Sequence, residues 1–143
     1  MLVLPPPRPK SITLLNTTVL TSSHDYLHKQ FRSPEELKYT HQTEKIDVYS
    51  MGNIFYTIMM GDYPFAEELE KEGMSAVQGF IQEGRIPEIR PDLLESDDPV
   101  DKVLIEAIKM CHVYDYRDRS SAIQVRDFLA RSLREIKREM KVD

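Results

Sequence analysis

Asp47-Val48-Tyr49-Ser50-Met51-Gly52 opens a stretch that closes at Gly61-Asp62-Tyr63-Pro64-Phe65, and its reading decides the fold. Residues 44–60 carry Ile46, Val48, Met51, Ile54, Phe55, Ile58 and Met59. Those positions wrap round most of a helix circumference instead of forming one stripe, the pattern of a buried central helix. Thr43 is the candidate cap, and Gly61 ends the helix because glycine accepts the positive φ that a helix terminus needs.

The flanking segments are helical as well. A short amphipathic helix is expected over 75–83, with Val77, Phe80 and Ile81 on one side and Gly84 closing it. Before it, Glu67-Glu68-Leu69-Glu70-Lys71-Glu72 reads as a solvated acidic loop. The stretch 85–96, with Pro87 and Pro91, reads as an ordered loop. Asp98-Pro99 is a sharp helix start, because aspartate caps and proline lacks only an N–H that the first turn leaves unused. Val100, Val103, Leu104, Ala107, Ile108 and Cys111 form the core face of that helix. Ser121-Ala122-Ile123-Gln124 is a capping box opening a last helix to about Met140, with Val125, Phe128, Leu129, Leu133 and Ile136 inward. Its basic residues, from Arg131 to Lys141, read as a solvated face. The fold class is mainly α.

Composition narrows the function. The chain has 143 residues, 41% hydrophobic and 30% charged, enough for one ordinary globular domain. A net charge of −5 argues against general nucleic-acid binding, which wants a basic surface. The single cysteine, Cys111, allows no internal disulfide framework and fits a reducing compartment. No run approaches the roughly 18 apolar residues of a membrane span, and the start lacks a signal-peptide pattern. A cytoplasmic protein is expected. Residues 1–27 read as a poorly ordered Pro/Thr-rich leader, in which Pro5-Pro6-Pro7-Arg8-Pro9 favours an extended conformation and 11–23 forms a short strand or nothing. Residues 139–143 read as a tail.

Three pieces in fixed order carry a resemblance. Phe31-Arg32-Ser33-Pro34-Glu35 resembles the Tyr-Arg-Ala-Pro-Glu that ends a protein-kinase activation segment. The Asp47 to Gly52 run resembles Asp-Val-Trp-Ser-x-Gly on the family's central helix. Asp115-Tyr116-Arg117-Asp118-Arg119-Ser120-Ser121 resembles the Asp-Pro-x-x-Arg-Pro-Ser ahead of its last helix. Each piece is weak alone and strong in this order. Residues 28–138 therefore resemble the helical C-terminal lobe of the protein kinase domain superfamily, of the eukaryotic Ser/Thr type. Its structural motif residues would be Ser33, Pro34, Glu35, Asp47, Gly52 and Arg119. The resemblance implies that Glu35 pairs with Arg119, and that Asp47 would hold the backbone of a catalytic loop.

That loop is missing from the sequence. His24-Asp25 has no intervening arginine, Leu27 and His28 depart from the family's residues, and Gln30 stands where a magnesium-binding asparagine would follow. Phosphoryl transfer needs a phosphate-covering loop, a lysine, carboxylates for magnesium and a base. There is no Gly-x-Gly-x-x-Gly among the five glycines, no Val-Ala-x-Lys and no Asp-Phe-Gly. Catalytic, cofactor-binding and metal residues are accordingly expected to be none, with ATP and magnesium belonging to a complete parent kinase. His24 and His28, at helical spacing but without a third ligand, read as surface histidines. Cys111, beside His112, reads as a core thiol.

Two functions fit. One is the C-terminal part of a Ser/Thr-type protein kinase domain, catalytically incomplete as given and needing the missing N-terminal portion. The alternative is a stand-alone pseudokinase-like docking or regulatory module for a protein partner. Arg32, Tyr39, Val77, Phe80 and Ile81 are the candidate docking residues. If large side chains of the central helix stay uncovered, each forgoes about 1.5–3 kcal/mol of burial.

Overall fold

The computed structural model describes residues 29–142. The leader, the 11–23 strand, the Leu27 and His28 departures and the His24–His28 pair lie outside those residues. After a 3₁₀ turn, Lys29–Phe31, come α1 (Pro34–Leu37), α2 (Lys45–Met60), α3 (Ala66–Glu72), α4 (Met74–Gln82), α5 (Pro91–Leu94), α6 (Pro99–Cys111) and α7 (Ala122–Met140). The fold is mainly α, and no strand occurs among the described residues.

Helix α2 is the centre. It packs most extensively against α6, and α6 in turn packs against α7. Val48, Cys111 and Val125 form the core of that three-helix layer, with Met51, Phe55, Met110 and Leu129 packed around them. Gly52 is what lets the first two helices approach. A Cβ there would lie 2.5 Å from the Cys111 Cβ and 2.9 Å from His112 Cδ2, closer than packed carbon atoms come. A second cluster, Leu37, Phe65, Val77 and Ile81 with Leu69 against it, joins α1, α3 and α4.

The helix ends follow local chemistry. Gly61 takes φ of 70°, and its N–H donates to the Thr57 carbonyl at 2.9 Å. The Asp98 carboxylate accepts from the Val100 N–H at 2.8 Å. At α7 the capping box closes in both directions, Gln124 N–H to Ser121 Oγ at 3.2 Å and Ser121 N–H to Gln124 Oε1 at 2.8 Å.

Several expectations change. The acidic run 67–72 is helical, not a loop: Glu67 and Glu68 sit in the first turn of α3, where the helix dipole favours carboxylates. Lys71 pairs with Glu67, and Arg85 with Glu68 at 2.7 Å. Pro91–Leu94 forms a helical turn inside the stretch read as loop. Val100 is exposed, because the first turn of α6 projects past the core, and Ile105 is buried further along. Leu133 is likewise exposed while Ser132 is buried, since α7 touches the core along a narrow stripe. Helix α2 is not enclosed on all sides. Ile54 and Ile58, one turn apart, are 53% and 69% exposed.

Candidate functional site

The best-formed polar site joins the start of the described residues to the turn before α7. Ser33 caps α1 in a capping box: its Oγ accepts from Glu36 N–H at 3.4 Å, and Glu36 Oε2 accepts from Ser33 N–H at 2.8 Å. Pro34 fills the first helical position, where a missing N–H is harmless. This short, rigid start turns Glu35 inward. On the other side, Asp115 organises a turn, its carboxylate accepting from Arg117 N–H at 2.9 Å and its carbonyl from the Arg119 N–H at 3.0 Å. That turn aims Arg119 into the same space.

Glu35 and Arg119, 84 residues apart, meet as a fork on a fork. Arg119 NH1 donates to Glu35 Oε1 at 2.6 Å and NH2 to Oε2 at 3.1 Å. The three remaining N–H groups go to backbone carbonyls: Nε to Val113 at 2.8 Å, NH1 to Lys45 at 2.7 Å and NH2 to Tyr114 at 3.1 Å. A guanidinium has five donors, and all five are used. The Tyr49 ring lies 5.0 Å from the guanidinium carbon, and Lys45 Nζ returns a bond to the Arg119 carbonyl. Arg119 is 1% and Glu35 5% exposed. Buried charge is tolerable here because each polar atom of the arginine has a partner. Motif order made the Glu35–Arg119 pair legible; the carbonyls of Val113, Tyr114 and Lys45 had no signal in side-chain identity.

The surroundings are dry. Burial raises the Tyr49 phenol far above its ordinary range, only partly opposed by Arg119. Burial pushes the Cys111 thiol up to about 12, so the thiolate is strongly disfavoured. His112 also lies inside, its ring 4.9 Å from that of Tyr49. Burial first, and then Arg119, lower its pKa to about 4. Near the surface, hydrogen bonds from Arg117 hold Asp115 down at about 2.

The other motif residues lie apart from this pair. Asp47 is exposed in the first turn of α2, and its carboxylate has no partner among the described residues. Gly52 is buried between α2 and α6. Ser50 Oγ and Asn53 Nδ2 both donate to the Phe31 carbonyl, at 3.1 and 3.0 Å, fastening the segment before α1 to α2. Gln30 Oε1 and Asn53 Oδ1, both buried, have no partner among the described residues. Of the candidate docking residues, Arg32 and Tyr39 are exposed and Phe80 is partly so, with Arg85 stacked 4.5 Å from its ring. Val77 and Ile81 are not available for docking: both are fully buried, because the apolar side of α4 is spent on α1 and α3.

No group of three or more His, Cys, Asp or Glu able to hold a metal converges among the described residues. No glycine-rich phosphate loop or strand lysine occurs among them either. No described helix is long and apolar enough to cross a membrane.

A family model described as "Protein kinase domain" matches residues 14–128. The chain belongs to the protein kinase domain family. The match takes in residues 14–27 as well as most of the helical kinase-like region. No curated protein matches the chain.

Proposed function

We propose that this chain acts as the helical, substrate-side lobe of a protein kinase domain and performs no phosphoryl transfer by itself. The groups for ATP, magnesium and proton abstraction would come from a protein portion that completes the domain. In the complete assembly the activity would be ATP-dependent phosphorylation of protein, of Ser/Thr type, by resemblance. The observation that carries this reading is the open side of α2. Ile54 and Ile58 stand in solvent beside partly buried Met51, Phe55 and Met59, on the same helix as the Asp47 carboxylate, which has no partner among the described residues. An apolar stripe of this kind on a central helix marks a surface meant to be covered.

The chain expressed alone is expected to bind a hydrophobic dye or to self-associate, and Ile54→Glu/Ile58→Glu is expected to suppress both. A monomeric wild-type chain with no dye binding would sink the proposal. The same open stripe would also serve a stand-alone pseudokinase-like docking module. The intact mass of the endogenous protein, captured through α7, separates the two readings. A species well above 16.7 kDa with catalytic-loop peptides upstream of Phe31 favours the lobe; a single 16.7 kDa species favours the docking module.

A further inference from the structure

The chain's negative charge is not spread evenly. Residues 61–92 hold eight carboxylates against Lys71, Arg85 and Arg90, a net of −5. The rest of the chain has the other sixteen acidic residues and sixteen basic ones, and is neutral. All of the formal charge therefore sits between the end of α2 and the start of α5.

Within that segment a groove of about 340 Å³ lies between the last turns of α2, the start of α3 and residues 88–91. Tyr56, Met60 and Tyr63 give it apolar walls, while Asp62, Glu67, Glu68 and Glu88 line it against one basic residue, Arg90. Glu67 is already paired with Lys71, Glu68 with Arg85, and Arg90 with Asp92. Asp62 and Glu88 have no cationic partner among the described residues; the Asp62 carboxylate accepts only from the neighbouring Tyr63 N–H, at 2.7 Å. The carboxylates converge. Burial first, and then Glu68, Asp62 and Glu88, raise the pKa of the Tyr56 phenol, whose O–H donates to the Glu88 carbonyl at 2.9 Å.

These carboxylates do not come close enough together to hold a metal ion. A wider cation suits them. A guanidinium spreads five donors round a plane, pairs with carboxylates at its edge and stacks its face on an aromatic ring. Tyr63 lines the groove with its ring 57% exposed. The chain makes the same arrangement next door, where Arg85 pairs with Glu68 and lies 4.5 Å from the Phe80 ring. The volume is at the small end of ligand sites, suited to one long side chain. The excess charge beyond the groove, on Glu70 and Glu72, favours a ligand that carries further positive charge along its length.

We propose that this groove docks an arginine side chain from a basic segment of a partner protein, with the guanidinium on the Asp62 and Glu88 carboxylates and its face on the Tyr63 ring. Neither Ile54 nor Ile58 lines the groove, so the site does not depend on the lobe reading.

The probe is a fluorescein-labelled peptide, Ala-Arg-Arg-Ala-Gly, followed by fluorescence anisotropy as the full chain is titrated in. Saturable binding that weakens with added salt is expected. The citrulline peptide, neutral but of the same shape, should bind at least about tenfold more weakly, and the lysine peptide about threefold. Asp62→Asn/Glu88→Gln should weaken the arginine peptide about tenfold, since one exposed ion pair contributes up to about fivefold. Glu70→Gln/Glu72→Gln removes the same charge from α3 outside the groove and should change binding less than about twofold. All four side chains are exposed, so both variants should fold as the parent does. Ile54→Glu/Ile58→Glu, which removes the α2 stripe, should not weaken the peptide. No saturable binding, equal binding of the citrulline or lysine peptide, equal losses in the two carboxylate variants, or loss of binding in the α2 variant would each overturn the proposal.

Discussion

Breaking the arginine clamp from its two ends should cost different amounts, and the difference is set by where the five donors go. Glu35→Gln keeps the shape of the side chain but leaves a buried guanidinium facing a neutral amide. Removing one partner of a buried pair costs about 3–5 kcal/mol. Arg119→Met leaves the carboxylate uncompensated, at a similar cost, and also orphans the carbonyls of Val113 and Tyr114, while the Lys45 carbonyl keeps its helical bond in α2. Each orphan adds about 1 kcal/mol, so the total reaches about 5–7 kcal/mol. A domain has only about 5–15 kcal/mol to lose. Glu35→Gln should therefore stay folded, with its thermal midpoint lowered by roughly 12–20 °C at about 4 °C per kcal/mol. Arg119→Met should be unfolded or nearly so. The double change Glu35→Leu/Arg119→Met removes the stranded charge but not the orphaned carbonyls, so it should remain about 2 kcal/mol below the parent. Urea and thermal denaturation followed by circular dichroism, in the Ile54→Glu/Ile58→Glu background that keeps the chain monomeric, would measure all three. If Arg119→Met costs no more than Glu35→Gln, or the double variant regains full stability, the clamp is an ion pair alone and the reasoning is wrong.

Other outcomes follow from single contacts. Gly52→Ala should destabilise by about 1–3 kcal/mol despite alanine's better helix propensity, because its Cβ would collide with Cys111 and His112. Gly79→Ala, with nothing within 4 Å of the new methyl, should instead stabilise by about 0.5–1 kcal/mol, and equal behaviour of the two in denaturant melts would refute the packing argument. Ser121→Ala should lower stability by about 1 kcal/mol through loss of the α7 cap, and an unchanged denaturation midpoint would count against it. His112 makes the fold acid-sensitive. Its folded pKa, about 4, lies below the ordinary 6.5, so the unfolded chain takes up the proton first as pH falls. Its contribution to stability is therefore full above about pH 6.5 and declines by about 1.4 kcal/mol per pH unit towards pH 4. Stability measured from pH 5 to 6.5 should show this slope in the parent chain and lose it in His112→Leu.

Much of the fold was legible because local chemistry and global packing agree at the helix ends. Gly61, Asp98-Pro99 and the Ser121–Gln124 box each specify a terminus through their own backbone bonds, and α2, α6 and α7 form between such signals. The acidic run 67–72 misled because charge density reads as loop. Leu69, its one apolar side chain, packs against the cluster around Phe65 and holds the segment as helix. Val77 and Ile81 looked like a free apolar face because their neighbours in space, Leu37 and Phe65, are far off in the chain. Leu133 and Val100 followed the helical period yet face water, since period fixes a face but not how far a partner helix extends. At the clamp, Glu35 and Arg119 were readable from motif order, whereas the three carbonyls were not. His112 was passed over for a related reason: it follows the last residue of α6 as its C-cap, where helical spacing no longer tells which way a side chain points.

The clamp also sets a clock on the chain's birth. A ribosome adds about 5–20 residues each second, so the 84 residues between Glu35 and Arg119 take about 4–17 s to emerge. For about 2–8 s of that interval, between Met60 and Pro99, α2 is already made while α6, which covers one of its sides, and the arginine that neutralises Glu35 are still to come. The nascent chain therefore spends seconds displaying the central helix with both apolar sides open. A synthesis-coupled chaperone would find its most persistent target there, and slowing translation between Gly61 and Arg119 should lower the yield of folded chain.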